Sequence, residues 1–235
     1  MHSIQGIQEI KTQYAEKKSM IQERLGHFQK FYHEPYTWHY SDGDIHLKPA
    51  NKSHDERIFE ELCFCIFTAN TSAEMGAKSI DAVRDLLIAG TPLEMKQRLE
   101  GIYRFKNLRP MYIIHTREFL RSRCGFKLKD FLESYDDKIA LRDFFALSKD
   151  IKGLGMKESS HFLRNIGFKG YAILDKHIIN SLNEFAVLKT SNKPKNRNEY
   201  LEIESKFREF SEKIGIDMDE MDLLLWSRKT GKILK

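Results

Sequence analysis

Signals that begin and end helices recur along the whole chain, whereas signals for β-strands are nearly absent. Ser53 and Glu56 form a capping box, S-x-x-E, in which two side chains bond free N–H groups at the start of a helix. Thr91, Pro92 and Glu94 supply a helix cap, a proline at the first helical position and an acidic third position. Alternation of apolar and polar residues never persists beyond a few positions. The sequence therefore predicts an all-α fold of about ten helices.

The same signals set the expected helix boundaries. A second capping box, Thr71 with Glu74, is expected to open the third helix, and Asn107 is expected to cap the fifth. Residues 41–52 and 190–198 are predicted loops. The predicted helices cover residues 5–32, 57–70, 71–88, 92–100, 107–123, 127–134, 137–149, 157–166, 176–187, 197–214 and 218–230. The second of them, RIFEELCFCIFTAN, is apolar almost all round, so we expect it at the centre of the core.

Length and composition exclude several classes of protein. The chain has 235 residues, of which 41% are apolar, enough for one large domain or two small lobes with a sizeable core. No window approaches the ~18 uninterrupted apolar residues that suggest a transmembrane helix. The N-terminal sequence MHSIQGIQEIKTQYAEKK lacks the apolar stretch of a secretory signal. We therefore expect no membrane association and a location in the cytoplasm, at the nucleoid in a cell without a nucleus.

Cysteine content and charge narrow the expectation further. Cys63, Cys65 and Cys124 are too few for a disulfide framework, and their spacing does not match a zinc ribbon. Cys63 and Cys65 lie in an apolar run and are predicted to fill the core, with no metal site. The net charge is +5, and the basic residues concentrate in 149–176 and 226–235. A basic excess of this kind is compatible with a polyanionic partner.

The segment IKGLGMK, residues 151–157, carries the most informative motif of the chain. It combines a short helix, a turn with Gly153 and Gly155, and a second helix, which is the pattern of a helix–hairpin–helix. Two glycines let the backbone turn tightly and approach a phosphate, and the N–H groups of the following helix can bind an anion. The alternative is an ordinary helix connection with a glycine cap.

Lys157 and Asp175 are the candidate catalytic residues. Lys157 is expected at a helix N-terminus, where the positive end of the helix dipole disfavours the ammonium form and favours a nucleophilic amine. Asp175 precedes the helix KHIINSL and could stabilise a developing cation or move a proton. Its alternative role is only that of a helix cap.

The segments KGLGMKESSHFLRNIG and AILDKHI resemble the helix–hairpin–helix DNA glycosylase superfamily. ELCFCIFTANTSAE, YRFKNLRPMYI, EYLEIE and LLLWSRKTGKILK are similar to its type-2 8-oxoguanine DNA glycosylase/lyases of archaea and bacteria, over most of residues 55–235. The resemblance implies two helical lobes, about 1–60 plus 170–235 and about 61–169, the latter carrying the hairpin at 151–157. DNA would lie in the cleft between them. The resemblance also implies a monomer that excises 8-oxoguanine from double-stranded DNA and cleaves the abasic site by β-elimination, without a cofactor.

The resemblance also implies roles for individual residues. Lys157 matches the Schiff-base nucleophile and Asp175 the catalytic carboxylate. Phe105 and Trp226 match aromatic residues that stack on the extruded base, and Lys235 matches a terminal lysine whose carboxylate recognises it. Without the resemblance, Phe105 would be assigned to the core, Trp226 to helix packing and Lys235 to a frayed terminus.

The remaining matched positions would contact DNA. They are Lys152, Gly153 and Gly155 in the hairpin, and Asn70 in a turn that could face the opposite strand. The sequence departs from the family pattern at Lys152, where many members have proline, and at Ser159, where alanine is usual. Lys152 makes the hairpin less rigid and adds a cation beside the phosphate.

Two alternative functions stay open at this stage. The chain could be a glycosylase of the same fold for another damaged base, or a non-catalytic module that uses the hairpin only to bind DNA. The lack of cysteine near the C-terminus argues against the iron–sulfur branches, endonuclease III and adenine glycosylase.

Overall fold

The computed structural model describes residues 4–235, and within them the chain folds into eleven α-helices, one 3-10 turn and a two-stranded antiparallel sheet. The helices are α1 Ile4–His33, α2 His54–Thr68, α3 Ala73–Val83, α4 Pro92–Arg98, α5 Arg109–Cys124, α6 Leu128–Glu133, α7 Lys138–Leu147, α8 Met156–Asn165, α9 Lys176–Glu184, α10 Arg197–Ile214 and α11 Met218–Thr230. The 3-10 turn is Arg84–Leu86. The prediction of a helical fold is confirmed. No helix within this part of the chain is long and apolar enough to cross a membrane.

The prediction of a loop at 41–52 is wrong, because this region forms most of a β-hairpin. Strands β1 (Tyr36–Ser41) and β2 (Asp44–Pro49) pair in register from Tyr36 with Pro49 to Ser41 with Asp44. Asp42 and Gly43 form the turn with φ of 54° and 77°. Asp-Gly is the sequence that a two-residue hairpin turn of this type prefers, since both central residues need positive φ.

Helix α2 occupies the centre of the core, as predicted. Its capping box is confirmed: Ser53 Oγ accepts from the Glu56 N–H at 3.2 Å, and the Glu56 carboxylate accepts from the Ser53 N–H at 2.8 Å. Helices α3, α5, α6 and α8 pack around α2. Cys63 and Cys65 are fully buried in it, in keeping with their predicted role as core residues.

Helix α11 organises the other part of the molecule. Helices α1, α9 and α10 pack against it, and the hairpin rests on α1 and α3. Trp38 of β1 is buried, with its ring centroid 6.0 Å from that of Phe31 in α1. The division into lobes of 1–60 plus 170–235 and 61–169 stays a prediction.

Two predicted helix caps are wrong by one residue, while the Thr91–Glu94 capping box is confirmed. The cap of α3 is Ser72, whose Oγ accepts from the Met75 N–H at 3.1 Å. Thr71 instead donates its hydroxyl to the Phe67 carbonyl, 2.7 Å away at the end of α2. The residue at the cap position of α5 is Leu108, which provides no side-chain cap, rather than Asn107. At α3 the adjacent residues Thr71 and Ser72 fit the same local pattern, so the sequence alone does not choose between them.

Candidate active site

A cleft of about 450 Å³ is lined by α8, the start of α9, α11 and the C-terminal residues, together with residues 68–74 where α2 ends and α3 begins. Four of the predicted site residues line it together: Lys157, Asp175, Trp226 and Lys235. They come from three helices and the chain end, so only the folded chain brings them to one place.

Lys157 is the second residue of α8, directly after Met156 and the cap residue Gly155. Its side chain is 30% exposed, and its Nζ lies 3.3 Å from the Glu158 carboxylate. The amine thus has one close acidic neighbour and access to the cleft. Lys157, His161 and Arg164 are spaced by four and three residues, so they share one face of α8, and all three line the cleft.

Asp175 is the N-cap of α9, as predicted from the sequence. Its Oδ1 accepts from the Ile178 N–H at 2.8 Å, and its backbone is extended. The side chain is partly buried and lines the same cleft as Lys157. The capping bond uses one carboxylate oxygen, and a carboxylate has a second oxygen for another partner.

The C-terminal residues fold back onto the protein. Lys235 is 5% exposed, and its ammonium is ion-paired with Glu61 of α2. Trp226 is partly buried and meets the His177 ring edge-on at 6.5 Å. The alternative of a frayed terminus at Lys235 is wrong for this structure.

The sequence did not predict a chain of buried polar groups that begins at the cleft wall with Arg164 and Asp222. Asp222 Oδ1 lies 3.1 Å from the Arg164 guanidinium, and Asp222 Oδ2 accepts from the Ile173 N–H at 3.0 Å. Arg164 also donates to Asn165 Oδ1 at 3.3 Å, and Asn165 Nδ2 donates to Glu61 at 2.7 Å. The series therefore links α11 through α8 to α2. A sequence signal existed for Arg164, which lies on the same helical face as Lys157, but none identified its partner.

Burial dominates the electrostatics of the Arg164–Asp222 pair. Burial raises the pKa of Asp222 to about 7, while the Arg164 guanidinium opposes that shift. Burial also lowers the pKa of Arg164, against the effect of Asp222. Both shifts favour the neutral form because removing two charges from water costs more than the pairing returns.

His161 is a further residue of the cleft that the sequence did not single out. Burial, helped by nearby Arg164 and Lys157, lowers the pKa of its imidazole well below the usual value. The ring lines the cleft together with Lys235 and lies edge-on to Phe64, with the two ring centroids 5.8 Å apart. His161 is therefore neutral at physiological pH and lines the same cleft as the chain end.

The two glycines of the helix–hairpin–helix turn, Gly153 and Gly155, differ in how closely their surroundings pack against them. Gly153 has φ of +82°, and a Cβ there would lie 2.8 Å from both Arg109 and Tyr112 of α5. It is required by close packing against α5 as well as by the turn. The Lys152 N–H donates to Thr116 Oγ1 at 3.0 Å, which also ties the hairpin to α5. A Cβ at Gly155 would meet only the Glu158 carboxylate, at 3.5 Å.

Phe105 and Asn70 do not line the cleft in this structure. Phe105 is partly buried under the Arg104 guanidinium, 4.3 Å from its ring centroid, and meets Tyr103 edge-on at 5.9 Å. Asn70, with φ of +63°, lines a neighbouring groove of about 570 Å³. This groove shares Lys157 and Asp175 with the cleft, so the two spaces adjoin.

Comparison with known proteins identifies the family. A profile of the helix–hairpin–helix 8-oxoguanine DNA glycosylases matches residues 45–216. The 8-oxoguanine DNA glycosylase/AP lyase of Methanocaldococcus jannaschii is 35% identical over 236 residues, which span all of both chains. That of Korarchaeum cryptofilum is 40% identical over 77% of this chain and 84% of its own. The crystal structure of the M. jannaschii protein with a 15mer DNA containing 8-oxoguanine superposes with a TM-score of 0.81 at 33% identity, over 99% of this chain and 100% of the other. The chain belongs to the helix–hairpin–helix family of 8-oxoguanine DNA glycosylases.

Proposed function

We propose that this protein excises 8-oxoguanine from double-stranded DNA and then cleaves the strand at the abasic site. The observation that carries the proposal is that an amine, Lys157, and a carboxylate, Asp175, line one cleft beside the buried chain end. In this proposal Lys157 is the nucleophile, Asp175 stabilises positive charge, and the carboxylate of the chain end accepts hydrogen bonds from the base edge. The full-length similarity to proteins named 8-oxoguanine DNA glycosylase/AP lyase supports the same reaction.

The damaged base must leave the duplex before the reaction, because its glycosidic carbon is inaccessible inside the stack. The cleft of about 450 Å³ provides the receiving space. Stacking on an aromatic side chain returns about 1–3 kcal/mol per base and offsets part of the unstacking cost. Trp226, which lines the cleft, is proposed for this role. Phe105 is proposed as the second stacking residue, and since it lies outside the cleft, DNA binding must bring it and the base together.

Lys157 then acts as the nucleophile. Its neutral amine attacks C1′ of the sugar, and the glycosidic bond breaks with its electron pair leaving on the base, which takes up a proton. Asp175 stabilises the positive charge that develops on the sugar and accepts or returns protons. Ring opening gives an imine between Lys157 and C1′. Loss of the C2′ proton then expels the 3′ phosphate by β-elimination, and water releases the amine.

The C-terminal carboxylate recognises the base. Oxidation of guanine at C8 turns N7 from an acceptor into an N–H donor, and a carboxylate accepts hydrogen bonds but does not donate them. A carboxylate of Lys235 at the cleft wall therefore favours 8-oxoguanine over guanine. No electron acceptor takes part in these steps, so the proposal includes no cofactor.

The DNA backbone is bound outside the cleft. Phosphates of the lesion strand would lie along the hairpin at Lys152, Gly153 and Gly155, and Asn70 would face the opposite strand. Such contacts position the duplex without reading its sequence. The protein is proposed to act as a monomer on chromosomal DNA in the cytoplasm.

Incision of duplexes that differ in one base tests the proposal. Strand cleavage is expected with 8-oxoguanine and not with uracil, alkylated adenine or an oxidised pyrimidine at the same position. Cleavage of one of these in place of 8-oxoguanine would assign another substrate to the same fold. Binding of every duplex without any cleavage would identify a non-catalytic DNA-binding module.

A further inference from the structure

The side chain of Lys235 lies in a closed cage of acidic and aromatic groups. Its ammonium is ion-paired with Glu61 and lies 3.9 Å from the ring centroid of Phe64 and 4.9 Å from that of Trp38. The side chains of Lys235 and Glu61 are each only 2% exposed. Glu61 and Phe64 belong to α2, and Trp38 belongs to strand β1, so elements distant in sequence form one binding site for the side chain of the last residue.

The cage has one negative charge for one positive charge. Glu61 accepts from Asn165 with one oxygen and from Lys235 with the other, so both of its oxygens are occupied. Aromatic faces attract a desolvated cation, which suits Phe64 and Trp38 to this place. A buried ammonium without its carboxylate would be strongly disfavoured, since breaking a buried pair leaves an uncompensated charge. Lys235 is therefore held in the cage by Glu61.

The position of this ammonium constrains the position of the terminal carboxylate. The amine and the terminal carboxylate belong to the same residue, and Lys235 lines the cleft next to Leu234 while its ammonium is held in the cage. We propose that Glu61 is a positioning residue for base recognition: it anchors the Lys235 ammonium and thereby fixes the terminal carboxylate at the wall of the cleft. This proposal rests on the proposed function, in which that carboxylate recognises the base.

The adjacent residue Glu60 offers a matched control. It is also buried in α2, but it pairs with Lys52 at 2.6 Å, with Thr37 at 2.5 Å and with Arg84. Glu60→Gln and Glu61→Gln make the same chemical change at neighbouring buried positions. A loss that reflects stability alone affects both variants, whereas a loss of anchoring affects only Glu61→Gln.

The first measurement compares two reactions of each variant, at a temperature where thermal unfolding shows every variant folded. Glu61→Gln is expected to lower kcat/KM for 8-oxoguanine excision at least about tenfold relative to cleavage of a preformed abasic site. Glu60→Gln should leave the ratio of the two reactions as in the wild type. If the wild type excises 8-oxoguanine and Glu61→Gln has the same ratio of excision to abasic cleavage, the positioning role of Glu61 is overturned and the proposed function is not. A wild type that does not excise 8-oxoguanine overturns the proposed function.

The second measurement follows the anchor without any DNA. A lysine-specific carboxypeptidase is incubated with the native protein, and release of Lys235 is followed by mass spectrometry. Release should be slow in the wild type and in Glu60→Gln, and at least about tenfold faster in Glu61→Gln, because removal requires the chain end to leave its cage. Equal release rates in all three proteins would overturn the anchoring.

If Glu61→Gln does not fold, Lys235→Gln tests the pair from its other side. This variant keeps the terminal carboxylate and loses only the ammonium. It is expected to show the same selective loss of 8-oxoguanine excision against abasic cleavage. A wild-type ratio in Lys235→Gln would show that the ammonium does not position the chain end.

Discussion

The Arg164 guanidinium and the Asp222 carboxylate lie 3.1 Å apart, both buried, and join α8 to α11 at the wall of the cleft. Asp222 also accepts from the N–H of Ile173, two residues before Asp175. The pair therefore braces the helix that carries Lys157, the segment that leads to Asp175 and the helix that carries Trp226.

Replacement of Asp222 by asparagine should destabilise the protein and disturb the site together. The change leaves the Arg164 guanidinium buried without its counter-charge, which costs about 3–5 kcal/mol in comparable pairs. Urea unfolding at pH 8, above the pKa of Asp222, measures the loss. Cleavage at an abasic site, assayed on folded protein, should also slow. Glu60 pairs with Lys52 and Arg84 and does not line the cleft, so Glu60→Gln serves as the control. It should lose stability without slowing this reaction. An equal slowing in both variants would contradict the bracing role.

Replacement of Asp175 by asparagine should separate its two roles. Asparagine caps helices about as well as aspartate, so the free energy of unfolding should stay near that of the wild type. Excision should slow by about 10²-fold or more, since the charge that stabilises the sugar cation is lost. Asp137→Asn is the control, because Asp137 caps α7 through the Ile139 N–H at 2.7 Å and does not line the cleft. Unchanged excision in Asp175→Asn would show that Asp175 is only a cap.

His161 should make the stability of the wild type depend on pH. The pKa of the His161 imidazole is lowered in the folded state, whereas in the unfolded chain it has the ordinary value of about 6.5. Below pH 6.5 the unfolded chain therefore binds more protons than the folded protein, and the free energy of unfolding falls as the solution is acidified. Relative to His161→Gln, the wild type should lose up to about 2 kcal/mol of unfolding free energy between pH 7 and pH 5. Urea unfolding of both proteins at the two pH values measures it. A difference that stays constant, or that grows in favour of the wild type at pH 5, would show that His161 titrates normally.

Several features of the fold and the site could be predicted from the sequence because they are local. The α2 capping box and the Asp175 cap each depend on residues within three positions of one another. The β-hairpin could not be predicted, because residues 36–40 are largely aromatic and show no clear alternation of apolar and polar residues. Its turn signal, Asp42-Gly43, is present in the sequence.

The supports of the site could not be predicted, because they depend on residues far apart in the chain. Glu61 lies in the apolar helix α2, and its partner Lys235 is 174 positions away in the sequence. The Arg164–Asp222 pair spans 58 positions. Only packing of the helices decides such partners, and the burial of the chain end follows from the same packing.

A peptide added after Lys235 should impair base recognition and spare strand cleavage. Lys235 is almost fully buried, so added residues must displace it from the cleft wall. Excision of 8-oxoguanine should fall at least about tenfold more than cleavage of a preformed abasic site, which needs Lys157 but no base recognition. The same peptide at the N-terminus serves as the control. Excision at the untagged rate by the C-terminally tagged protein would remove the chain end from the account of base recognition.

Borohydride trapping on a duplex containing 8-oxoguanine, followed by peptide mapping of the adduct, identifies the lysine that forms the covalent bond to the sugar. We expect that lysine to be Lys157. Lys176 is the matched control, because it follows Asp175 and lines the groove that adjoins the cleft. The wild type and Lys176→Gln should give one adduct, on Lys157. Lys157→Gln should give none while binding the duplex within about tenfold of the wild type, since phosphate contacts lie elsewhere. An adduct that persists in Lys157→Gln, or that maps to another lysine in the wild type, would contradict the account.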